Sequence, residues 1–161
     1  MQIWIDADAC PKTIKDILYR MAIRTKIPLK VVSNHAFSVP ASVFIKKIQV
    51  GSGFDVVDAY IVEHVQAGDL VITADIPFAD AVVSKQCFAL NPRGELYSEN
   101  NIKQLLGKRD MNEVLRGGGM ISGGLGKLSA KEVQKFANHL DKWVSQRQKS
   151  SSRPVDKPRD V

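Results

Sequence analysis

Residues 2–11 of the chain read QIWIDADACP, in which a short apolar run meets two aspartates and then a proline. The run predicts a strand over residues 2–5 that ends at Asp6, and Pro11 is typical of the first turn of a helix. Apolar residues at three- and four-residue spacing extend that helix to about residue 24. Pro28 then precedes LKVVS at residues 29–33, so this part of the chain predicts a β-α-β unit with parallel strands.

The same pattern recurs at residues 70–80, which read LVITADIPFAD. A strand over residues 70–74 ends at Asp75, a helix follows from Pro77 to about residue 85, and CFAL at residues 87–90 is the next strand, before a turn at 91–94. A helix that begins near residue 55 and is closed by Gly68 precedes this unit, whereas VFIKKIQV at residues 43–50 fits either a strand or a short helix. Strands that alternate with helices predict an α/β domain around a mostly parallel sheet.

The C-terminal part of the chain is predicted to be helical. Residues 98–106 and 110–116 are two candidate helices, and a loop with six glycines in ten positions follows at residues 117–126. Ser129 and Glu132 have the spacing of a capping box and open a further helix. Because the glycine loop follows a helix and lacks the Lys-Ser/Thr pair of a P-loop, we interpret it as a flap or linker.

The composition of the 161 residues, with 44% hydrophobic and 25% charged, is typical of one globular domain. No apolar run approaches the roughly 20 residues that span a bilayer, and an acidic N-terminus is unlike a signal peptide. Cys10 and Cys87 fit no disulfide framework, and the three histidines lack the spacing of metal ligands. These features predict a cytoplasmic protein with no membrane partner, and they leave the oligomeric state open.

The net charge of +6 is concentrated at the C-terminus, where residues 142–161 hold six basic and two acidic side chains. Residues 1–141 therefore carry only +2. From residue 148 the sequence has three serines, two prolines and no apolar periodicity, which predicts a disordered basic tail. The expected organisation is one α/β domain over residues 1–147 and a tail over residues 148–161.

Four aspartates are candidates for a single site. Ligands of open parallel sheets bind at the carboxyl ends of strands, near the point where strand order reverses. Asp6 and Asp8 follow the first strand, Asp75 ends another, and Asp58 lies on the helix that leads into the latter. If those two strands are neighbours, the carboxylates repel one another unless a cation such as Mg²⁺ or Mn²⁺ lies between them. Asp8 and Asp75 are equally suited to cap the helices that follow, and Asp58 to face solvent.

Three stretches of the sequence resemble the YaiI/YqxD family of uncharacterised bacterial proteins: IWIDADACP (3–11), GFDVVDAYIVEHVQAGDLVITADIPFAD (53–80) and LNPRG (90–94). The resemblance covers roughly residues 1–145. The family is similar to the PIN-like nucleases, which implies a three-layer α/β sandwich whose acidic strand ends hold Mg²⁺ or Mn²⁺. Two positions depart from the pattern, because GGLGKLS (123–129) lacks the usual proline and Asp58 replaces the glutamate of many PIN nucleases.

Carried over residue by residue, the resemblance implies that Asp6, Asp8, Asp58 and Asp75 are both the catalytic and the metal-binding residues. Such a site hydrolyses phosphodiester bonds of RNA or DNA with two ions about 3.5–4 Å apart. Four further side chains near the strand ends are candidates for contact with the substrate: Lys12, Asn34, Thr73 and Arg93. Asn34 and Thr73 are equally suited to hold turns, and the two basic residues to face solvent.

Three functions are consistent with this sequence. The first is a metal-dependent nuclease or phosphodiesterase, and the second is a phosphatase in which Asp6 is the nucleophile and Asp8 the general acid. The third is a nucleic-acid-binding module without catalysis, whose basic tail contacts phosphates. Cys10 precedes a helix start, where a thiol is activated, but an inert, half-buried cysteine is the better interpretation.

Overall fold

A computed structural model of the chain describes residues 1–53, 55–116 and 127–152, with side chains for residues 1–53, 55–107 and 127–148. The elements follow one another in the order β1 (Ile3–Asp6), α1 (Lys12–Thr25), β2 (Leu29–Ser33), β3 (Ile45–Gln49), α2 (Val56–His64), β4 (Leu70–Ile72), α3 (Ile76–Ser84), β5 (Phe88–Leu90), β6 (Leu96–Tyr97), α4 (Glu99–Arg116) and α5 (Ala130–Ser152). None of the helices in these ranges is long and apolar enough to cross a membrane.

The strands form one sheet in the order β3-β2-β1-β4-β5-β6. Strands β1 to β5 pair in parallel, and β6 is antiparallel to β5. Strand β1 lies at the centre between β2 and β4, so the strand order reverses between β1 and β4. The predicted α/β fold with a mostly parallel sheet is confirmed, as is the adjacency of the strands that end at Asp6 and before Asp75.

The hydrophobic core lies in two layers, one on each face of the sheet. Ile3 and Ile5 of β1 pack with α1 and α5, whereas Trp4 between them packs on the opposite face, with α2, α3 and α4. Fully buried side chains complete the two layers, among them Ile14, Leu18, Phe136 and Leu140 on the first face and Ile61, Val82 and Ile102 on the second. The molecule is therefore the expected three-layer sandwich.

A buried carboxylate fixes the starts of the two central strands. Asp69 is 1% exposed and accepts hydrogen bonds from the backbone N–H groups of Gln2 (3.1 Å) and Gln66 (3.0 Å) and from the indole N–H of Trp4 (3.0 Å). A buried charge is tolerated only when it is hydrogen-bonded in this way. Asp69 thus joins β1 to β4 at the sheet edge opposite the candidate site.

Several element boundaries differ from the sequence-based predictions. Residues 43–50, for which the sequence fitted either a strand or a short helix, contain the edge strand β3, in which Lys46 and Lys47 are exposed. Helix α2 ends at His64, before an extended Val65, so its predicted closure at Gly68 is wrong. Strand β6 was not predicted, because two residues that depend on pairing with β5 show no periodicity of their own.

The two helices predicted over residues 98–116 are one continuous helix, α4. Gly107 lies inside it in open space, and a single helical glycine costs only about 1 kcal/mol relative to alanine, less than the loss of a helical segment. Helix α5 extends to Ser152, so residues 148–152 of the predicted tail are helical. The glycine loop at 117–126 and residues 153–161 lie outside the described residues.

Candidate acidic site

The candidate site lies at the carboxyl ends of β1 and β4, where the strand order reverses. The two strands are in register with Ile5 opposite Ile72, so Asp6 and the segment that follows β4 lie at the same edge of the sheet. The ligands of open α/β sheets bind at such a point.

Asp6 is half-buried at the end of β1. Its Oδ1 accepts hydrogen bonds from the backbone N–H groups of Asp8 (2.9 Å) and Ala9 (3.3 Å). Burial raises the pKa of Asp6, and these two hydrogen bonds partly oppose that effect. The turn after β1 therefore holds the Asp6 carboxylate in one place.

Asp75 is the N-cap of α3. Its Oδ1 accepts a hydrogen bond from the backbone N–H of Phe78 (3.1 Å), and its own N–H donates to Thr73 Oγ1 (2.9 Å). The predicted capping role is confirmed, and Thr73 holds the turn instead of contacting a carboxylate. A cap that uses one carboxylate oxygen does not prevent Asp75 from acting at the same time as part of the site.

Asp58 is half-buried on α2 and faces both of these aspartates. The pKa of Asp58 is raised to about 6, chiefly by burial, then by the negative charges of Asp75, Asp6 and Asp55 in decreasing order. These charges act on Asp58 because it lies in the first turn of α2 and lines the same hollow as Asp75. We call Asp6, Asp58 and Asp75 the acidic rim.

Asp8 lies beside the acidic rim and turns toward β2. Its carboxylate accepts hydrogen bonds from the hydroxyl of Ser33 (3.0 and 2.9 Å), and His35 Nδ1 lies 3.5 Å from Asp8 Oδ1. The N-cap of α1 is Pro11, with no side-chain hydrogen bond, so the interpretation of Asp8 as a cap is wrong. Ser33 and His35 were not among the predicted site residues, although Ser33 ends the strand beside β1 and the adjacency rule could have found it.

The acidic rim matches a divalent cation in the chemistry of its donor atoms but not in their present arrangement. The donor set consists of carboxylate oxygens, which Mg²⁺ and Mn²⁺ prefer, and the buried Oδ1 of Asn34 has no hydrogen-bond partner. Within the part of the chain that the structure describes, however, no three His, Cys, Asp or Glu side chains are arranged to hold a metal ion. The donor chemistry therefore fits such an ion, whereas the described side chains do not form a ready-made site for it.

The four predicted substrate contacts lie in different places around the rim. Lys12 is exposed at the first residue of α1, and the backbone N–H of Asn34 is 3.4 Å from Asp8 Oδ2. Arg93 lies in the β5–β6 turn, where its Nη1 donates to Glu132 Oε1 (2.7 Å). Arg93 lines a cavity that also includes Ala74 beside the rim.

Cys10 is not an activated nucleophile. It is 8% exposed, and burial raises the pKa of its thiol to about 12. Since the thiolate is the reactive form, a thiol that stays protonated at neutral pH is inert. The interpretation of Cys10 as inert agrees with this environment, although the side chain is buried and not half-buried as predicted.

A three-layer α/β sandwich with carboxylates gathered at its topological switch point defines the class of protein: an α/β protein with an acidic strand-end site. The chain belongs to the YaiI/YqxD family, since the family model described as "Uncharacterized BCR, YaiI/YqxD family" matches residues 4–146. This confirms the resemblance that the three sequence stretches indicate.

Curated relatives are similar over nearly their whole length. A UPF0178 protein of Shewanella sp. (strain MR-4) is 56% identical over 143 residues, which cover 89% of this chain and 95% of the relative. A UPF0178 protein of Legionella pneumophila (strain Lens) is 56% identical over 145 residues, or 90% of this chain and 98% of the relative. No solved structure gives a significant match.

Proposed function

We propose that this protein is a metal-dependent phosphodiesterase or nuclease that acts on RNA or DNA, with Mg²⁺ or Mn²⁺ held by Asp6, Asp58 and Asp75. The observation that carries the proposal is the parallel pairing of β1 with β4, which sets Asp6 and Asp75 at one edge of the sheet. Asp58 on α2 completes the set. Asp8 stays a candidate fourth ligand, whose carboxylate has to leave Ser33 to join the others.

The electrostatics of the rim support a cation. Like charges held together on a folded surface raise one another's pKa, and a divalent ion removes that penalty. A bound Mg²⁺ or Mn²⁺ polarises a phosphodiester and lowers the pKa of a water molecule. The residues of the chain position the ligands: backbone N–H groups hold Asp6, and the capping bond to Phe78 holds Asp75.

The phosphatase alternative gains no support from the geometry. A general acid at Asp8 has to point toward the phosphate on Asp6, whereas both Asp8 oxygens accept the Ser33 hydroxyl. We therefore propose the phosphodiesterase alone and make the non-catalytic binding module an outcome of the test.

Calorimetric titration of Mn²⁺ tests the metal site. We expect Asp58→Asn and Asp75→Asn to weaken Mn²⁺ binding at least about tenfold, which corresponds to about 1.4 kcal/mol. Asparagine caps a helix as well as aspartate does, so Asp75→Asn removes the charge and keeps the cap. Asp141→Asn is the control, because Asp141 pairs with Arg24 on the opposite side of the sheet from α2 and α3. Equal Mn²⁺ affinity in all four proteins contradicts the proposal.

Cleavage assays separate a nuclease from a binding module. With Mn²⁺ present, we expect the wild-type protein to cut single-stranded RNA or DNA and the two rim variants to lose that activity. Mn²⁺ binding at the rim without cleavage of any RNA or DNA overturns the nuclease and leaves a metal-dependent binding protein.

A further inference from the structure

A cavity of about 330 Å³ lies next to the acidic rim, on the side of β5. Its walls come from four parts of the chain: the start of α1, the second residue after β4, the β5–β6 turn, and the segment that leads into α5 together with the first turn of that helix. The lining residues are Pro11, Thr13, Ala74, Asn91, Pro92, Arg93, Lys127, Leu128 and Val133. The volume is at the lower end of the range for small-molecule sites, so the cavity suits one compact ligand.

Two cations line this cavity. Glu132 accepts a hydrogen bond from Arg93 Nη1 (2.7 Å), and the backbone N–H of Ser129 donates to the same Oε1 (3.0 Å). The guanidinium is thereby held at the wall before any ligand arrives. Lys127 is exposed and forms no ion pair with another described residue. The exposed ammonium of Lys127 and the hydroxyl of Thr13 supply hydrogen-bond donors beside the Arg93 guanidinium, and these groups favour an anionic ligand.

The remaining surface of the cavity is apolar. Pro11 and Pro92 form two walls, and Leu128 and Val133 contribute aliphatic side chains. The side chain of Asn91 is occupied within the turn, where its Oδ1 accepts from the N–H of Arg93 (2.7 Å) and its Nδ2 donates to the hydroxyl of Tyr97 (2.9 Å). A ligand that fits both features has a charged group and an apolar part.

The cavity adjoins the rim through the chain itself. Ala74, on its wall, directly precedes Asp75, and Pro11 lies three residues after Asp8. Because the cavity and the rim are adjacent, one nucleic-acid strand can place a phosphodiester at the rim and a neighbouring nucleotide in the cavity.

We infer that this cavity is a subsite for one nucleotide of the substrate strand, with the phosphate at Arg93, Lys127 and Thr13 and the sugar and base against the apolar walls. The inference rests on the proposed function and names where the neighbouring nucleotide lies. Lys127 and Thr13 become residues that bind substrate, and neither was predicted from the sequence.

Calorimetry with adenosine 5′-monophosphate, adenosine and inorganic phosphate tests the subsite, with EDTA present so that no metal contributes. We expect the monophosphate to bind at least tenfold more tightly than either fragment, because only the monophosphate satisfies both the cations and the apolar walls. Lys127→Ala should weaken its binding about tenfold and Thr13→Val several-fold. Lys103→Ala, on the exposed face of α4, is the matched control and should bind like wild type.

Each outcome decides the question. Equal affinity for adenosine and adenosine monophosphate shows that the cavity does not recognise the phosphate group. Equal affinity for inorganic phosphate and adenosine monophosphate shows that it does not recognise the nucleoside. Either result overturns the subsite. Loss of binding in Lys103→Ala as well overturns it too, since the effect is then one of net charge. The rim is tested separately by Mn²⁺ binding, so a failed subsite with intact Mn²⁺ binding leaves the proposed function standing.

Discussion

Asp58 shows how the environment of one residue changes its chemistry. An isolated aspartate is charged at any pH above about 4. On α2 the same carboxyl is partly withdrawn from water and faces the charges of Asp75 and Asp6, which together raise its pKa to about 6. A folded-state pKa above the unfolded value means that ionisation of Asp58 destabilises the metal-free protein.

The pH dependence of stability follows from that shift. The folded state holds the Asp58 proton more tightly than the unfolded state does. The protonated carboxyl therefore adds to the free energy of unfolding below pH 4, and this addition is lost as the pH rises to about 6. We expect Asp58→Asn to be as stable as wild type at pH 4 and more stable above pH 6. The difference should be about 1 kcal/mol, reduced from the full shift because the carboxyl is partly exposed to solvent.

Urea denaturation in EDTA between pH 4 and 8 measures this difference. A gap between the two proteins that stays constant over the whole range argues against the raised pKa of Asp58. The corresponding measurement with saturating Mn²⁺ should remove the advantage of Asp58→Asn, since a bound cation stabilises the charged form.

Single residues differ in how well the sequence predicts them. Asp75 could be predicted as a cap because its partner, the N–H of Phe78, is three residues away. The partner of Asp8 is Ser33, 25 residues away on a different strand, and no local pattern shows it. Interactions within one turn of the chain are visible in the sequence, whereas those across the sheet depend on strand order.

The turn between β5 and β6 requires glycine at position 94. Gly94 has φ of +94°, and a Cβ at this position would lie 2.7 Å from Lys135 Cγ and 2.9 Å from the backbone N of Phe136. The turn can therefore press against α5 only with glycine here. That close packing brings Arg93 to Glu132 and forms one wall of the cavity.

Substitution of Gly94 should disturb both stability and the cavity. We expect Gly94→Ala to lower the free energy of unfolding by about 1–3 kcal/mol, through the strained backbone and the contact with α5. Gly107→Ala is the matched control: Gly107 lies in open space within α4, so alanine should stabilise by up to about 1 kcal/mol. Urea denaturation of both variants measures the two effects, and a loss of equal size in both contradicts the packing argument.

Elements that bury a regular apolar face were predicted, whereas the two-residue strand β6 was not. The apolar spacing of α1 and the runs of β1, β2 and β4 appear directly in the sequence, because each buries a regular face. The predicted break within α4 was wrong, because a helical glycine is tolerated when the flanking turns continue. Strand β6 exists only because the turn at 91–95 returns the chain to β5.

The whole molecule consists of two core layers separated by the sheet. Ile14 on α1 and Ile61 on α2 are both 0% exposed and belong to opposite layers. Because the sheet lies between them, the two side chains share no packing partner on the same face. Each layer should therefore respond to a lost methyl group independently of the other.

A double-mutant cycle tests this arrangement. We expect Ile14→Val and Ile61→Val each to cost about 0.5–1.5 kcal/mol, and the double variant to cost their sum within about 0.5 kcal/mol. Ile23→Val, at a position of α1 that is 49% exposed, should change stability little. Circular dichroism and tryptophan fluorescence should report one urea transition, and separate transitions by the two probes contradict a single cooperative sandwich.

The sequence by itself determined the α/β class, the main helices and strands, the family, and the aspartates that follow β1 and β4. These features are local, because periodicity, caps and strand-end residues depend on neighbours along the chain. Only the tertiary structure decided that Asp58 joins Asp6 and Asp75, that Asp8 turns to Ser33, and that Arg93 and Lys127 line one cavity. Those relations depend on the strand order and on the helices that pack against the sheet, and no segment of the sequence contains them.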